Sequence, residues 1–475
     1  GNQPFITEGK YIICNGEIYN FSMIAEEFDF DLKSRSDCEV LVHLYNLWLK
    51  SDSFEIQQLP IKLDGVFGII ILDMLNDIVT VLRDPIGVRS LYIGFDKARF
   101  HTFGVASEMK ALTELCDTVY QFDTGTIMQF SFQSMCPIMT MRYAHYKFVI
   151  PQEIEENVEF NMENDNFMKE KIMCRDFIIA AVLKRKLSDR PMACLLSGGV
   201  DSSIVCSILA KKCFDNPADL HTFSIGLKGS TDLAYARKVA DYLGTTHHEF
   251  IFDKEDFIES IPNTIKRIES YDVTTVRASV PMFLLAKQIK QMDELDIAVV
   301  FSGEGSDEAS GSYLYFHNAP NPDDFNDECH RLLANLHHYD CLRCEKCLAG
   351  AGLEARVPFL DRNFLSYYLE LPIKLRMPYK KIEKYLLRSA FTGWLPDEIL
   401  WRRKEAFSDG VNSIDGDPWF KRDDEKEYYL NIFREFYPGR EDIIPDYWMP
   451  RWCGDQSDPS AWKLTEKLKL DQSET

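Results

Sequence analysis

The hydrophobic pattern changes character near residue 150. Before that point apolar residues come in short runs or in alternation: YIIC, GVFGIIILD, DIVTVLRD and GTIMQFSF, each bounded by Gly, Asp or Asn. Such runs predict strands, and GVFGIIILDMLNDIVTVLRD predicts a hairpin turning near MLND. Apolar residues recur at helical spacing from Ser36 to Lys50, with the serine placed as a cap, which predicts a helix beside the strands. Strands on one side and helices on the other predict an α+β layer.

Residues 150–166, PQEIEENVEFNMENDNF, are polar and acidic and predict a linker. From about 167 the runs alternate: a helix to about 187, strand ACLL, a loop, a helix, strand HTFSIGL, helix DLAYARKVADYLG, strand HEFIF and strand DIAVVFSG. Alternation of this kind predicts a parallel sheet with helices on its faces. Beyond Asp307 the chain reads as mostly helical, with turns at PNPDD and VPFLD. The expected organisation is a first domain over 1–149, the linker, and a second domain over 167–475, so the fold class is α/β with an α+β layer in front.

Composition narrows the function. A chain of 475 residues with 45% hydrophobic and 13% aromatic residues can bury more than one core. A net charge of -22 repels nucleic acid and anionic membranes, so neither is an expected partner. No apolar run approaches the ~18 residues of a membrane span. The 13 cysteines are odd in number and sit inside apolar runs, as at Cys14, Cys194 and Cys206, which suggests a reducing, cytoplasmic setting rather than a disulfide framework. The chain opens on GNQPF, directly before strand-like sequence, and reads as a cut piece.

Two strand ends carry chemistry. In LLSGGVDSS, Gly198 and Gly199 let backbone amides approach an anion. The helix that follows offers free N–H groups and a positive dipole end, and Ser197, Ser202 and Ser203 add hydroxyls. Asp201 repels phosphate and makes sense through a divalent cation, Mg2+. No lysine of the common nucleotide loop is present, and the whole string resembles the pyrophosphate loop of the ATP pyrophosphatases, which cut ATP between its α and β phosphates. DIAVVFSGEGSDE ends a second strand in Ser302, Gly303, Glu304, Asp307 and Glu308, a set suited to a metal ligand and an acid or base.

SGEGSDE, YDVTTVRAS, LEARVPFLD and WRRKEAFSDGV, with YPGRED, DYWMPRW and QSDPSA near the C-terminus, together resemble the glutamine-dependent asparagine synthetase family, eukaryotic type. The resemblance implies ATP-dependent amidation of L-aspartate through β-aspartyl-AMP. It implies that Leu195, Ile225, Ser302 and Gly303 cradle adenosine, that Ser197–Ser203 take pyrophosphate, and that Asp201 and Asp307 bind magnesium. Glu304 would serve the intermediate and deprotonate ammonia, and Lys404 would neutralise charge growing on the phosphates. Thr274, Thr275 and Arg277 would line the aspartate pocket, the arginine forking a carboxylate. Where the family usually carries two adjacent glycines before YLYFH this chain has Gly311 and Ser312, so strain at Ser312 is expected if that position needs positive φ.

NGEIYNF, with SDCEV further on, resembles the family's N-terminal-nucleophile glutaminase. Asn15 and Gly16 would supply oxyanion donors, and Gly16, Glu17 and Asp37 would hold the ends of glutamine. The family's N-terminal cysteine nucleophile has no counterpart here, so this form is expected to use free ammonia rather than glutamine. Expected partners are L-aspartate, L-glutamine or ammonia, and ATP, with a homodimer left open. Two rivals stand: a related ligase such as a β-lactam synthetase, and a catalytically weak binding homologue. Cys341, Cys344 and Cys347, like His247–His248 and His337–His338, read as packing or surface residues rather than metal ligands.

Overall fold

The computed structural model describes residues 2–50, 55–96, 102–134, 137–143, 167–413 and 418–453. The chain divides into two compact units, Gly1–Lys147 and Phe148–Thr475. The linker expected over 150–166 and the QSDPSA stretch lie outside the described residues.

The strands of the first unit are β1 (Phe5–Thr7), β2 (Lys10–Ile18), β3 (Gly65–Asp73), β4 (Ile78–Arg83), β5 (Tyr92–Asp96), β6 (Thr102–Ala106), β7 (Thr118–Gln121), β8 (Thr126–Ser131) and β9 (Pro137–Arg142). They form two antiparallel sheets, β1-β2-β3-β4-β8-β9 and β6-β5-β7. GVFGIIIL, Gly65 to Leu72, is apolar without a break because both faces of β3 are covered. Phe67, Ile69 and Ile71 join Leu41, Leu44 and Tyr45 of the helix Val40–Lys50 in one core. Ile70 and Leu72 pack on a second core built from Val81, Ile93 and Phe130. The hairpin turns at Met74–Asp77, since Asp73 pairs with Ile78. Ser36 does not cap the helix. The Glu39 carboxylate instead turns back and accepts from the Lys33 and Ser34 amides, at 2.6 and 2.5 Å.

The second unit contains β10 (Met192–Leu195), β11 (His221–Leu227), β12 (Thr246–Phe252), β13 (Val299–Phe301) and β14 (Glu354–Arg356). Their order is β12-β11-β10-β13-β14 and every pairing is parallel. β14 falls where the sequence suggests only helices and turns; it is three residues long, and Arg356 is buried within it. The order sets β10 and β13 side by side, so the loops leaving their carboxyl ends are neighbours, the place where open parallel sheets bind ligands.

Candidate active site

The first loop leaves β10 at Leu195 and enters the helix Val200–Lys212. Gly198 sits at φ +72°, and a Cβ there would lie 2.4 Å from the Tyr235 Cβ, so only glycine fits. Hydroxyls tie the loop to itself: the Ser197 amide donates to Ser202 Oγ (3.2 Å) and the Gly199 amide to Ser197 Oγ (3.3 Å). Leu195, Ser197, Gly199, Asp201 and Ser202 line a cavity at the helix N-terminus. Gly198 and Ser203 do not; Ser203 is fully buried.

The second loop closes on the first. A Cβ on Gly303 would lie 2.8 Å from the Ser202 amide nitrogen, and Ser306 Oγ donates to Asp201 Oδ1 at 2.8 Å. Ser302, Gly303, Glu304 and Asp307 line the same cavity, with Ile225 of β11 on its apolar side. The Lys384 ammonium, 1% exposed, donates to both Asp201 oxygens (2.7 and 2.6 Å) and to Asp307 Oδ1 (2.6 Å). Lys404 donates to Asp307 Oδ2 at 2.6 Å. Burial pushes the Asp307 carboxyl up, but Lys384 and Lys404 outweigh it and hold the group well below the usual carboxylate range. Two carboxylates that converge on one ammonium mark a point where positive charge is stabilised. Their oxygens also suit a hard divalent cation shared with phosphate.

Glu304 behaves differently. Burial raises its pKa, and Arg343, which donates to Glu304 Oε2 at 2.6 Å, does not fully offset this. Arg343 also pairs with Asp340 at 2.5 Å. A carboxyl moved up toward neutrality is suited to proton transfer.

Arg277 is not where the resemblance set it. It is absent from the cavity wall, and its guanidinium forks Glu425 inside the fold, with Nε to Oε1 at 2.6 Å. Thr274 and Thr275 do line the cavity, although the Thr275 hydroxyl is engaged by Asp272 at 2.7 Å. The arginines in the wall are Arg343, Arg388, Arg402 and Arg403. Sequence reasoning missed Lys384 and Arg343, because neither adjoins a recognisable loop; folding alone brings them in. Ser312 is also corrected: the left-handed position is Gly311 (φ +58°), and the Ser312 hydroxyl donates to Asp307.

In the first unit Asn15, Gly16 and Glu17 lie on β2, and Asp37 Oδ2 accepts from the Ile18 amide at 2.6 Å, which brings the four together. The Asn15 amide group donates to Ser107 Oγ at 2.9 Å. Gly16 has φ +154°, and a Cβ there would meet the Val66 carbonyl oxygen at 2.0 Å. Cys14 is buried beside them, held by Gln3 through its backbone.

Cys341, Cys344 and Cys347 are buried in the helix Asp340–Ala349, and burial pushes the Cys347 thiol up to about 12. His247 lies between Thr222 Oγ1 (2.8 Å) and Ser224 Oγ (3.0 Å), with burial moving it down to about 3. Among the described residues no three His, Cys, Asp or Glu gather as a metal site, and no helix is long and apolar enough to cross a membrane.

A parallel sheet whose neighbouring strand ends face each other across a cavity, in one chain with two antiparallel sheets, defines a two-part α/β protein with a polar site at its strand ends. The family description Asparagine synthase matches residues 173–323 and 318–428, and Glutamine amidotransferase domain matches 1–114. Glutamine-hydrolysing asparagine synthetase of Cricetulus griseus is 40% identical, covering 98% of this chain and 88% of that protein. Those of Gallus gallus and Homo sapiens are 40% and 38% identical over the same shares. The chain belongs to the glutamine-hydrolysing asparagine synthetase family.

Proposed function

We propose that this chain makes L-asparagine from L-aspartate and ATP, with nitrogen from glutamine or from free ammonia. The β-carboxylate of aspartate attacks the α-phosphorus, the bond to the bridging oxygen breaks, and pyrophosphate leaves. Ammonia then attacks the acyl carbon of β-aspartyl-AMP, AMP departs, and one proton passes to a base. The observation that supports this most directly is the meeting of two strand-end loops across one cavity, with Asp201 and Asp307 sharing Lys384.

Placement supports the following roles. Ser197, Gly199 and Ser202 present hydroxyls and amides to the departing pyrophosphate. Lys384 and Lys404 carry the positive charge that the leaving group needs. Leu195, Ile225, Ser302 and Gly303 take the adenosine. Glu304, raised by burial, receives the proton from ammonia. Thr274 and Thr275 face aspartate, and Arg343, held by Glu304 and Asp340, stands in the same wall. Asp201 and Asp307 would hold magnesium, which when bound neutralises phosphate charge. In the first unit Asn15 and Gly16 serve as oxyanion donors, with Glu17 and Asp37 for the ends of glutamine. Free cysteines, all but Cys213 buried among the described residues, fit a cytoplasmic enzyme.

The test is pyrophosphate release with ATP, magnesium and aspartate, with ammonia or glutamine as nitrogen source. Release that depends on aspartate and ammonia supports the reading. Silence with both nitrogen sources ends it.

A further inference from the structure

Lys404 sits on residues 402–406, which form no helix or strand, yet its ammonium is set 2.6 Å from Asp307. What fixes it lies at the start of the helix Thr231–Leu243. Thr231 Oγ1 donates to Glu405 Oε2 at 2.9 Å, and Ser230 Oγ donates to the Gly410 carbonyl at 2.9 Å. Arg402 pairs with Glu405 and lies 3.5 Å from Asp232 Oδ1, with its guanidinium 4.0 Å over the Tyr235 ring. Asp232 is 5% exposed, and a Cβ on Gly410 would come within 2.3 Å of its carboxylate. The carboxylate is therefore wedged between Arg402 and the Gly410 backbone, on either side of Lys404 in the chain.

We propose that Asp232, acting through Arg402, is a positioning residue that sets Lys404 against the phosphate loop. The proposal rests on the ATP-cleaving reading above. The groups facing Asp232 are Arg402, Glu405 and Lys404, together with the Tyr235 ring under Arg402. Burial and then Glu405 push the Asp232 carboxyl up, Arg402 and Lys404 pull it down, and it settles at about 7. The clasp is charged above that pH and loosens below it, so Lys404 is best placed on the alkaline side.

The experiment compares the wild type, Asp232→Asn, Lys404→Ala, the double variant and Gly410→Ala. Pyrophosphate release is read as kcat and KM between about pH 6 and pH 9, beside melting temperature. Asp232→Asn is expected to lower kcat by about tenfold to a hundredfold, the cost of a misplaced charge, with KM for aspartate little changed. Its acid limb near neutrality disappears. Gly410→Ala, which presses a methyl on the carboxylate, gives the same kcat loss without removing a charge. The double variant is no slower than Lys404→Ala alone, because both changes act on one group. Full additivity, or an unchanged kcat in a folded Asp232→Asn enzyme, overturns the proposal. A crystal structure of Asp232→Asn decides independently of activity: Lys404 displaced from Asp307 supports the clasp, and Lys404 still bonded there overturns it. A silent wild type sinks the ATP-cleaving reading, and the position of Lys404 in that crystal structure still decides the clasp.

Discussion

The two clusters of site residues are held in opposite ways. In the first unit Asn15, Gly16 and Glu17 are links of a strand whose ladder runs unbroken from Lys10–Asp73 to Ile18–Gly65. Their geometry comes from backbone pairing. In the second unit Asp201, Asp307, Lys384 and Lys404 stand on separate segments and hold one another by charge. Each chemistry has its own requirement. Under the proposed roles, donors for an oxyanion would be fixed by the strand, whereas a leaving group with several charges would need loops made rigid by counter-charges. A strand should therefore fail by strain, and a charge lattice by losing any one member.

The largest break is expected where a separate charge cluster of the second unit supports the fold rather than the site. Asp361 caps the helix Arg362–Glu370 and pairs with Arg185 and Lys184, each at 2.6 Å. Burial pushes its carboxyl up, but Arg185 and Lys184 outweigh it and bring it down to about 2, below its ordinary 3.8. The stabilisation is thus complete above pH 3.8 and is lost as pH falls toward about 2. Asp361→Ala takes the shared carboxylate from buried Arg185 and half-buried Lys184 and should cost about 3–5 kcal/mol at neutral pH. Urea unfolding at about pH 7 and about pH 3 measures both the loss and its pH dependence. A loss under about 1 kcal/mol, the value of a surface pair, would mean that these charges do not hold the fold.

Next comes Lys384→Met. It takes the shared ammonium from both carboxylates and leaves Asp307 with Lys404. Pyrophosphate release should fall by about 10²–10³, the usual cost of one preorganised electrostatic partner. Steady-state rates in a variant with unchanged circular dichroism check this. A drop of only about twofold would show that the lattice is redundant and survives the loss of a member.

The strand side of the contrast is tested by Gly16→Ala. A methyl there meets the Val66 carbonyl oxygen at 2.0 Å, so β2 must part from β3. About 1–3 kcal/mol of strain should appear. Thermal unfolding of the first unit should shift, with ammonia-dependent pyrophosphate release in the second retained. Loss of both together would mean that the units are not separable in this respect.

What could be read along the chain divides by the same contrast. Residues placed by local chain geometry were legible: the Gly198 turn, the strand–loop–helix passage at Leu195–Ser202, the second loop at Ser302–Asp307, and the cluster around NGEIYNF. Their signals are contiguous. Lys384 and Arg343 could not be read, since each is brought to the cluster by a partner 183 or 39 residues away. Arg277 misled for the same reason: its fork meets Glu425, 148 residues on, and nothing near YDVTTVRAS reveals that partner. β14 escaped because three residues with charged ends carry no period, and its pairing with β13 is purely tertiary. The Ser36 cap failed because Glu39, three residues on, spends its carboxylate on the amides upstream.

The smallest effect belongs to Ser312, and it separates strain from hydrogen bonding. Gly311 already supplies the left-handed turn, at φ +58°, and a Cβ there would press on the Phe325 ring at 2.4 Å. Ser312 needs no such freedom. Its amide donates to the Asp307 carbonyl at 3.1 Å and its hydroxyl to the Asp307 carboxylate. Ser312→Gly therefore removes one donor from a carboxylate that keeps Lys384 and Lys404, and it loosens the unfolded chain. The hydroxyl is worth about 1 kcal/mol net, and the added backbone freedom costs about 0.5–1 kcal/mol more. A fall of less than about tenfold in pyrophosphate release is expected, with the lysines doing most of the holding. Were the variant instead faster and more stable than the parent, the serine would be a strained substitute for glycine, and the lattice would be carrying a defect that the charges alone conceal.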